Sequence, residues 1–175
     1  GMHDSKLVFE KINLQKGDVF ADLGCGIGDY SFFASQEVGE QGKVYAVDNW
    51  AEMLESIKQE AENRNIKNIA TVESDLALSI NLEDNCANHC LLATVMHAQK
   101  ISEDCQLFPE IARILKPGGQ LAIIECKKEE MPFGPPLSMR VSPEELEKAL
   151  FLYGFQKTDY VDLGYNYLIL FQAQK

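Results

Sequence analysis

Short apolar runs alternate with stretches in which apolar residues return every three or four positions, a pattern that predicts strands and helices in turn. Val19–Leu23, Lys43–Asp48 and Ile69–Glu73 read as three short strands. Asn88–Val95 is almost wholly apolar after its start, as expected of a strand covered on both faces. Helices are expected from about Asp29 to Val38, from near Trp50 with Leu54, Ile57 and Ala61 on one stripe, and from about Glu103 to Leu115. Lys116-Pro117-Gly118-Gly119 reads as a stop and turn before a fifth strand, Gln120–Cys126. Met131-Pro132-Phe133-Gly134-Pro135-Pro136 must be a loop. Ser142 is placed to cap a helix that begins at Pro143, presents Leu146, Ala149, Leu150 and Tyr153 on its apolar face, and ends at Gly154. Phe155–Leu163 and Asn166–Gln172 are the last strands, and so short a link requires them to be antiparallel.

Strand–helix repetition closing on an antiparallel hairpin implies a three-layer α/β sandwich around a mostly parallel sheet. No repeat or linker interrupts the pattern. Residues 1–175 are therefore expected to form a single domain, with 1–16 as a short amino-terminal segment. Sheets of this kind bind ligands beyond the carboxyl ends of their strands, near the point where strand order reverses.

Charge narrows the partners. The 175 residues carry 16 basic and 27 acidic side chains, a net charge of −11. Such a field repels phosphate, which argues against nucleic acid and against an anionic membrane surface. No run approaches the roughly 18 apolar residues of a spanning helix. The amino end lacks a basic stretch followed by an apolar core, so a cytoplasmic location is expected. Five cysteines are an odd number and form no evident disulfide framework. Cys86, His89 and Cys90 do not complete a metal set, because alternation along a strand sends His89 to the face opposite Cys90. No metal is expected.

Candidate chemistry gathers at three strand ends. Asp22-Leu23-Gly24-Cys25-Gly26-Ile27-Gly28 follows the first strand and opens a helix. Gly24 permits a tight turn, Gly26 lets the backbone approach a ligand, and Gly28 permits close helix packing. A carboxylate at Asp22 would repel a pyrophosphate but suits an ammonium or sulfonium group. The spacing also departs from the nicotinamide fingerprint, since residue 29 is Asp. Cys25 fills space in the turn, and its place beside a helix start is expected to lower its pKa. Asp48, ending the second strand, can accept hydrogen bonds from both ribose hydroxyls, with Asn49 and Trp50 next to an adenine edge and face. Asp48 and Asn49 could instead simply cap the next helix. After the third strand, Ser74, Asp75 and Leu76 could complete an adenine pocket. Ala93 and Thr94 would line the site after the fourth strand.

This combination resembles the class I methyltransferases that use S-adenosylmethionine. The matching pieces are Val19 to Gly28, Val44-Tyr45-Ala46-Val47-Asp48, Glu73-Ser74-Asp75-Leu76 and Ile111 to Leu121, in the family's order. Pro135-Pro136, Arg140 to Leu146 and Gly154-Phe155 resemble the small-molecule branch, near the quinone-biosynthesis and arsenite methyltransferase-like proteins. The resemblance implies strand order 3-2-1-4-5-7-6, S-adenosylmethionine as cofactor, and a small-molecule acceptor. Residues 1–16 and the 129–142 loop are the only segments from which a lid over the acceptor could be built.

Methyl transfer from a sulfonium is a direct displacement, so the protein mainly aligns the reactants. If the acceptor must lose a proton, His97 after the fourth strand and Glu125 near the end of the fifth are the candidate bases. Arg140 could bind an acidic acceptor or anchor its own loop. The alternative to an enzyme is a non-catalytic or partner-dependent module that binds S-adenosylmethionine. A monomer or a homodimer is compatible with the sequence.

Overall fold

The computed structural model describes residues 4–96 and 105–175. Seven strands form one sheet in the order β3-β2-β1-β4-β5-β7-β6. They are β1 (Val19–Leu23), β2 (Lys43–Asp48), β3 (Ile69–Glu73), β4 (Ala87–Ala93), β5 (Leu115–Cys126), β6 (Phe155–Asp162) and β7 (Asn166–Ala173). The first five are parallel, and β7 runs antiparallel to both β5 and β6.

Alternation of side chains sorts the helices onto two faces. Phe20, Val44, Leu91, Ala122 and Ile124 meet α1 (Ser5–Ile12) and α2 (Asp29–Val38). On the same face, Ala46 packs with Leu54 and Ile57 of α3 (Ala51–Asn63). Ala21, Leu23, Cys90, Leu92, Leu121 and Ile123 point the other way, towards α4 (Leu107–Ile114) and α5 (Pro143–Phe151). The central strands are buried on both faces, which is why β4 and β5 read as nearly unbroken apolar runs.

The structure departs from the sequence reading in several places. From Asp4 onward the amino-terminal segment packs into the core rather than standing free as a lid. Asp4 accepts the Leu7 N–H to start α1, which buries Val8, Phe9 and Ile12. Phe9 stacks on Phe33 with ring centres 4.5 Å apart and also touches Phe20. α4 begins at Leu107; the expected start near Glu103 lies outside the described residues. β5 starts at Leu115 rather than Gln120. Its pairing with β4 jumps from Ala87↔Leu115 to His89↔Gln120, so the Lys116-Pro117-Gly118-Gly119 turn bulges out within the strand. Pro117 has no N–H for the ladder, and Gly118 takes φ +76°, so the chain loops out and then rejoins. β4 stops at Ala93, short of Val95, because Thr94 adopts φ 57°.

Truncating Phe9 tests whether α1 belongs to the core. Phe9→Ala is expected to cost about 3–5 kcal/mol in urea unfolding at an unchanged slope. A cost under about 1 kcal/mol would show that α1 adds little.

Candidate functional site

The parallel strands β1 to β5 all deliver their carboxyl ends to one edge, and β1 and β4 are neighbours there although their following loops diverge. The glycine turn lies in this gap. The Gly24 and Cys25 N–H groups both donate to the Val47 carbonyl, and the Gly28 N–H donates to Cys25, closing a compact loop before α2.

The three glycines have different tasks. A Cβ on Gly24 would lie 2.7 Å from Cγ2 of Val95, so the loop after β4 crosses directly over it. A Cβ on Gly28 would press on Ile57 at 3.0 Å, which bears out the close helix packing expected there. A Cβ on Gly26 would meet no heavy atom within 4 Å. The φ of +53° already favours glycine there, and the open space above leaves room for a ligand on the Gly26 backbone.

Asp48 holds this surface in place. Its Oδ2 accepts the Gly26 N–H at 3.0 Å, and its Oδ1 accepts the Trp50 N–H at 3.1 Å. The capping alternative is not met, since the cap position of α3 is Trp50 and the helix start has no side-chain cap; Asp48 instead ties β2 to the glycine turn. Trp50, 56% exposed, and Asn49 stand at the same edge. The Ser74 N–H donates to the Asp48 carbonyl, and the buried Ser74 hydroxyl accepts the Asn81 N–H. Asp75 is exposed and caps its own turn through Ala77, while Leu76 is buried beneath. Thr94 takes its left-handed conformation at the end of β4, with its N–H on the Ile124 carbonyl and its hydroxyl on that of Ala93. A β-branched residue rarely adopts that conformation, and such strain concentrates at functional sites.

Asp22 is buried and accepts a 2.7 Å hydrogen bond from the Ser31 hydroxyl on α2. Burial raises its pKa from 3.8 to about 7, opposed by the Ser31 hydrogen bond and assisted by the nearby Asp48 carboxylate. The expected lowering of the Cys25 pKa is overturned. Burial pushes this thiol up, and Asp22 and Asp48 push it further, because removal from water and two like charges outweigh the helix start. Glu125 is 1% exposed, and its Oε2 accepts the Met96 N–H at 2.7 Å, bracing the loop after β4. His97 lies outside the described residues.

Arg140 is an anchor of its own loop. Its buried guanidinium donates to the carbonyls of Lys127, Glu129, Phe133 and Pro135. His89 bonds Asp18 and Gln120, while Cys90 packs in the core on the opposite face. Among the described residues no group of side chains could hold a metal ion, and all five cysteines are free thiols.

Sequence reasoning missed Ser31, whose small hydroxyl among the aromatics of α2 gives no signal without the fold. It also missed Ile27 and Leu78, which stand exposed in the turns after β1 and β3. An apolar residue inside a glycine or Asx turn was the available hint.

The sheet order and the glycine turn after β1 can be set beside known proteins. The methyltransferase domain family matches residues 14–162. A crystal structure of an S-adenosylmethionine-dependent methyltransferase from Aquifex aeolicus superposes with a TM-score of 0.87 at 32% identity, covering 97% of this chain and 89% of that one. The chain belongs to the class I methyltransferases that use S-adenosylmethionine, and its cofactor is S-adenosylmethionine. Among curated relatives, demethylmenaquinone methyltransferases from Listeria welshimeri and Staphylococcus epidermidis are 26% and 29% identical over 127 residues, 73% of this chain. The chain spans about half the length of these relatives, 52% and 51%.

Two predictions follow from the geometry. Gly24→Ala and Gly28→Ala should each lower stability by about 1–3 kcal/mol, through crowding and a left-handed backbone. Gly26→Ala should cost only about 1 kcal/mol yet weaken S-adenosylhomocysteine binding about tenfold or more in calorimetry. Equal binding losses at Gly26 and Gly28, with equal stability losses, would contradict this division.

Asp22 supplies the second. Its folded pKa lies above its unfolded value, so its contribution to stability is present at low pH and lost as pH rises from about 4 to about 7. Asp22→Asn keeps an acceptor for Ser31 and should remove that loss. Its advantage over wild type in denaturant melts should grow between about pH 4 and pH 7, up to about 4 kcal/mol. A constant difference across that range would contradict the prediction.

Proposed function

We propose that this chain transfers the methyl group of S-adenosylmethionine to a small-molecule acceptor. The observation that carries this reading is the bare Gly26 backbone, facing open space and held by Asp48 at the carboxyl edge of the sheet. The bound cofactor supplies an activated methyl group on a sulfonium, which an acceptor nucleophile displaces directly.

The residues divide the remaining work. Gly24, Cys25, Gly26 and Gly28 shape the cradle. Asp48 accepts the ribose hydroxyls, sharing its carboxylate with the turn it already holds, and Asn49 and Trp50 flank the base. Ser74, Asp75 and Leu76 close the adenine side, and Ala93 and Thr94 form the floor towards the methyl group. Asp22 faces the cationic end. Binding a cation favours its ionised form, so affinity rises as pH passes through about 7. Glu125 positions the loop after β4 through Met96, and His97 is the candidate base for an acceptor that must lose a proton. Catalysis here is alignment plus an acidic field, without a covalent intermediate on the protein.

Among the described residues no helix is long and apolar enough to cross a membrane. In our reading the chain is a single cytoplasmic domain that works as a monomer or homodimer. Its net charge of −11 keeps it off nucleic acid and anionic membranes.

Calorimetric titration with S-adenosylmethionine and S-adenosylhomocysteine tests this reading independently of the acceptor. Wild type should bind at least one of them in the micromolar range, and Asp48→Ala, shown to be folded, should bind about 10–100-fold more weakly. A folded wild type that binds neither at millimolar ligand would overturn the proposal.

A further inference from the structure

Asp22 is buried near the end of β1, and its partners across the sheet, Ala46 of β2 and Leu91 of β4, offer it no polar group. What its carboxylate meets is the first turn of α2. The cap position of that helix is Gly28, which makes no side-chain hydrogen bond to the helix start. Asp22 reaches the turn from the neighbouring strand instead. Ser31, the third residue of α2, donates its hydroxyl to Oδ2 at 2.7 Å, and its backbone N–H acts on the carboxylate in the same sense. The unsatisfied N–H groups and the dipole of a helix start favour a negative charge there. Ser31 is itself fully buried, so this contact is made away from water.

Two influences oppose the Ser31 donors. Burial disfavours the charged carboxylate, and the Asp48 carboxylate at the end of β2 repels it. The Cys25 thiol in the glycine turn stays neutral, because burial and both carboxylates push it up. Asp29 heads α2 but is exposed. Among the described residues, the groups that act on the Asp22 charge include no cation. The balance leaves the carboxyl titrating at about 7, where loss of a single donor changes its state near neutral pH. A buried carboxylate held by a hydroxyl, with no cation of its own, is completed by a positively charged ligand.

We propose that Ser31 is a positioning residue for cofactor binding: its hydroxyl holds Asp22 in the ionised form that meets the cationic end of S-adenosylmethionine, and so sets the pH range in which binding expels a proton from Asp22 to solvent. The inference rests on the methyl-transfer reading above, in which Asp22 faces that end, but its test separates the two. Below about pH 7 the free carboxyl is mostly protonated, and the arriving cation drives the proton off. Without the Ser31 hydroxyl the protonated form persists to higher pH, and the cofactor must displace the proton there as well. A residue that merely joined α2 to β1 would affect stability and leave this linkage where it was.

The test is calorimetric titration of S-adenosylmethionine into wild type, Ser31→Ala and Asp22→Asn between about pH 6 and about pH 9. Buffers of different ionisation enthalpy count the protons released, and Asp22→Asn accounts for those exchanged by the ligand itself. Relative to that variant, wild type should release close to one proton at about pH 6 and few at about pH 8. In Ser31→Ala the release should continue about one pH unit higher. Its affinity should be up to about tenfold below wild type near pH 6, and the gap should close as pH rises. The carboxyl carbon signal of Asp22, followed by NMR in the free protein, should show the same upward move of about one unit without any ligand. Coincident profiles for wild type and Ser31→Ala would overturn the inference, as would a wild type that releases no more protons than Asp22→Asn. A folded wild type that fails to bind S-adenosylmethionine, while the carboxyl midpoint still moves in Ser31→Ala, would instead count against the methyl-transfer reading.

Discussion

Where β1 and β4 lie side by side, the chains that follow them must part, and Val95 comes to rest where a Cβ on Gly24 would stand. That close approach requires a residue without a side chain, in a backbone conformation that favours glycine. It also fixes how the turn is presented. With Gly24 pinned below Val95 and Gly28 pressed against Ile57, the intervening Gly26 is left facing open space. Asp48 then holds the Gly26 amide from the neighbouring strand. The turn is thus shaped by two packing contacts and one hydrogen bond, and on the proposed reading this preformed shape lowers the ordering cost of binding.

The electrostatics of the edge follow from the same placement. Asp22, Asp48 and Glu125 sit at or near the ends of β1, β2 and β5, with Asp22 and Glu125 out of contact with water. Burying a carboxylate is costly, and the raised Asp22 pKa records chiefly that cost, with the Asp48 charge adding to it. A ligand carrying positive charge relieves it. The buried Arg140 guanidinium anchors the loop after β5 by donating to carbonyls of that loop.

Much of this was legible in the sequence because it depends on local rules. The strand ends at Leu23, Asp48 and Glu73 are set by apolar runs meeting glycine or acidic turn residues, and they fall where expected. The strand order agrees with that implied by the family resemblance. What escaped depends on contacts between distant segments. α1 is held by Phe9 against Phe33 and Phe20, a contact that an eight-residue helix does not announce in its own pattern. The bulge at Pro117-Gly118-Gly119 has the composition of a turn, and only its pairing with β4 shows that the strand continues on both sides. Cys25 misled for a similar reason: the helix start is visible in sequence, but its burial beside Asp22 and Asp48 is not. The task of Arg140 depends on carbonyls that bear no sequence mark at all.

The most direct test of the preformed cradle is hydrogen exchange at the Gly26 amide, followed by NMR with and without S-adenosylhomocysteine. Asp48 should protect this amide in the free protein, and Asp48→Asn should reduce that protection. Ligand should deepen it, together with protection of the turns after β2 and β3. An unprotected Gly26 amide in the free protein, or ligand protection confined to another edge of the sheet, would contradict the account.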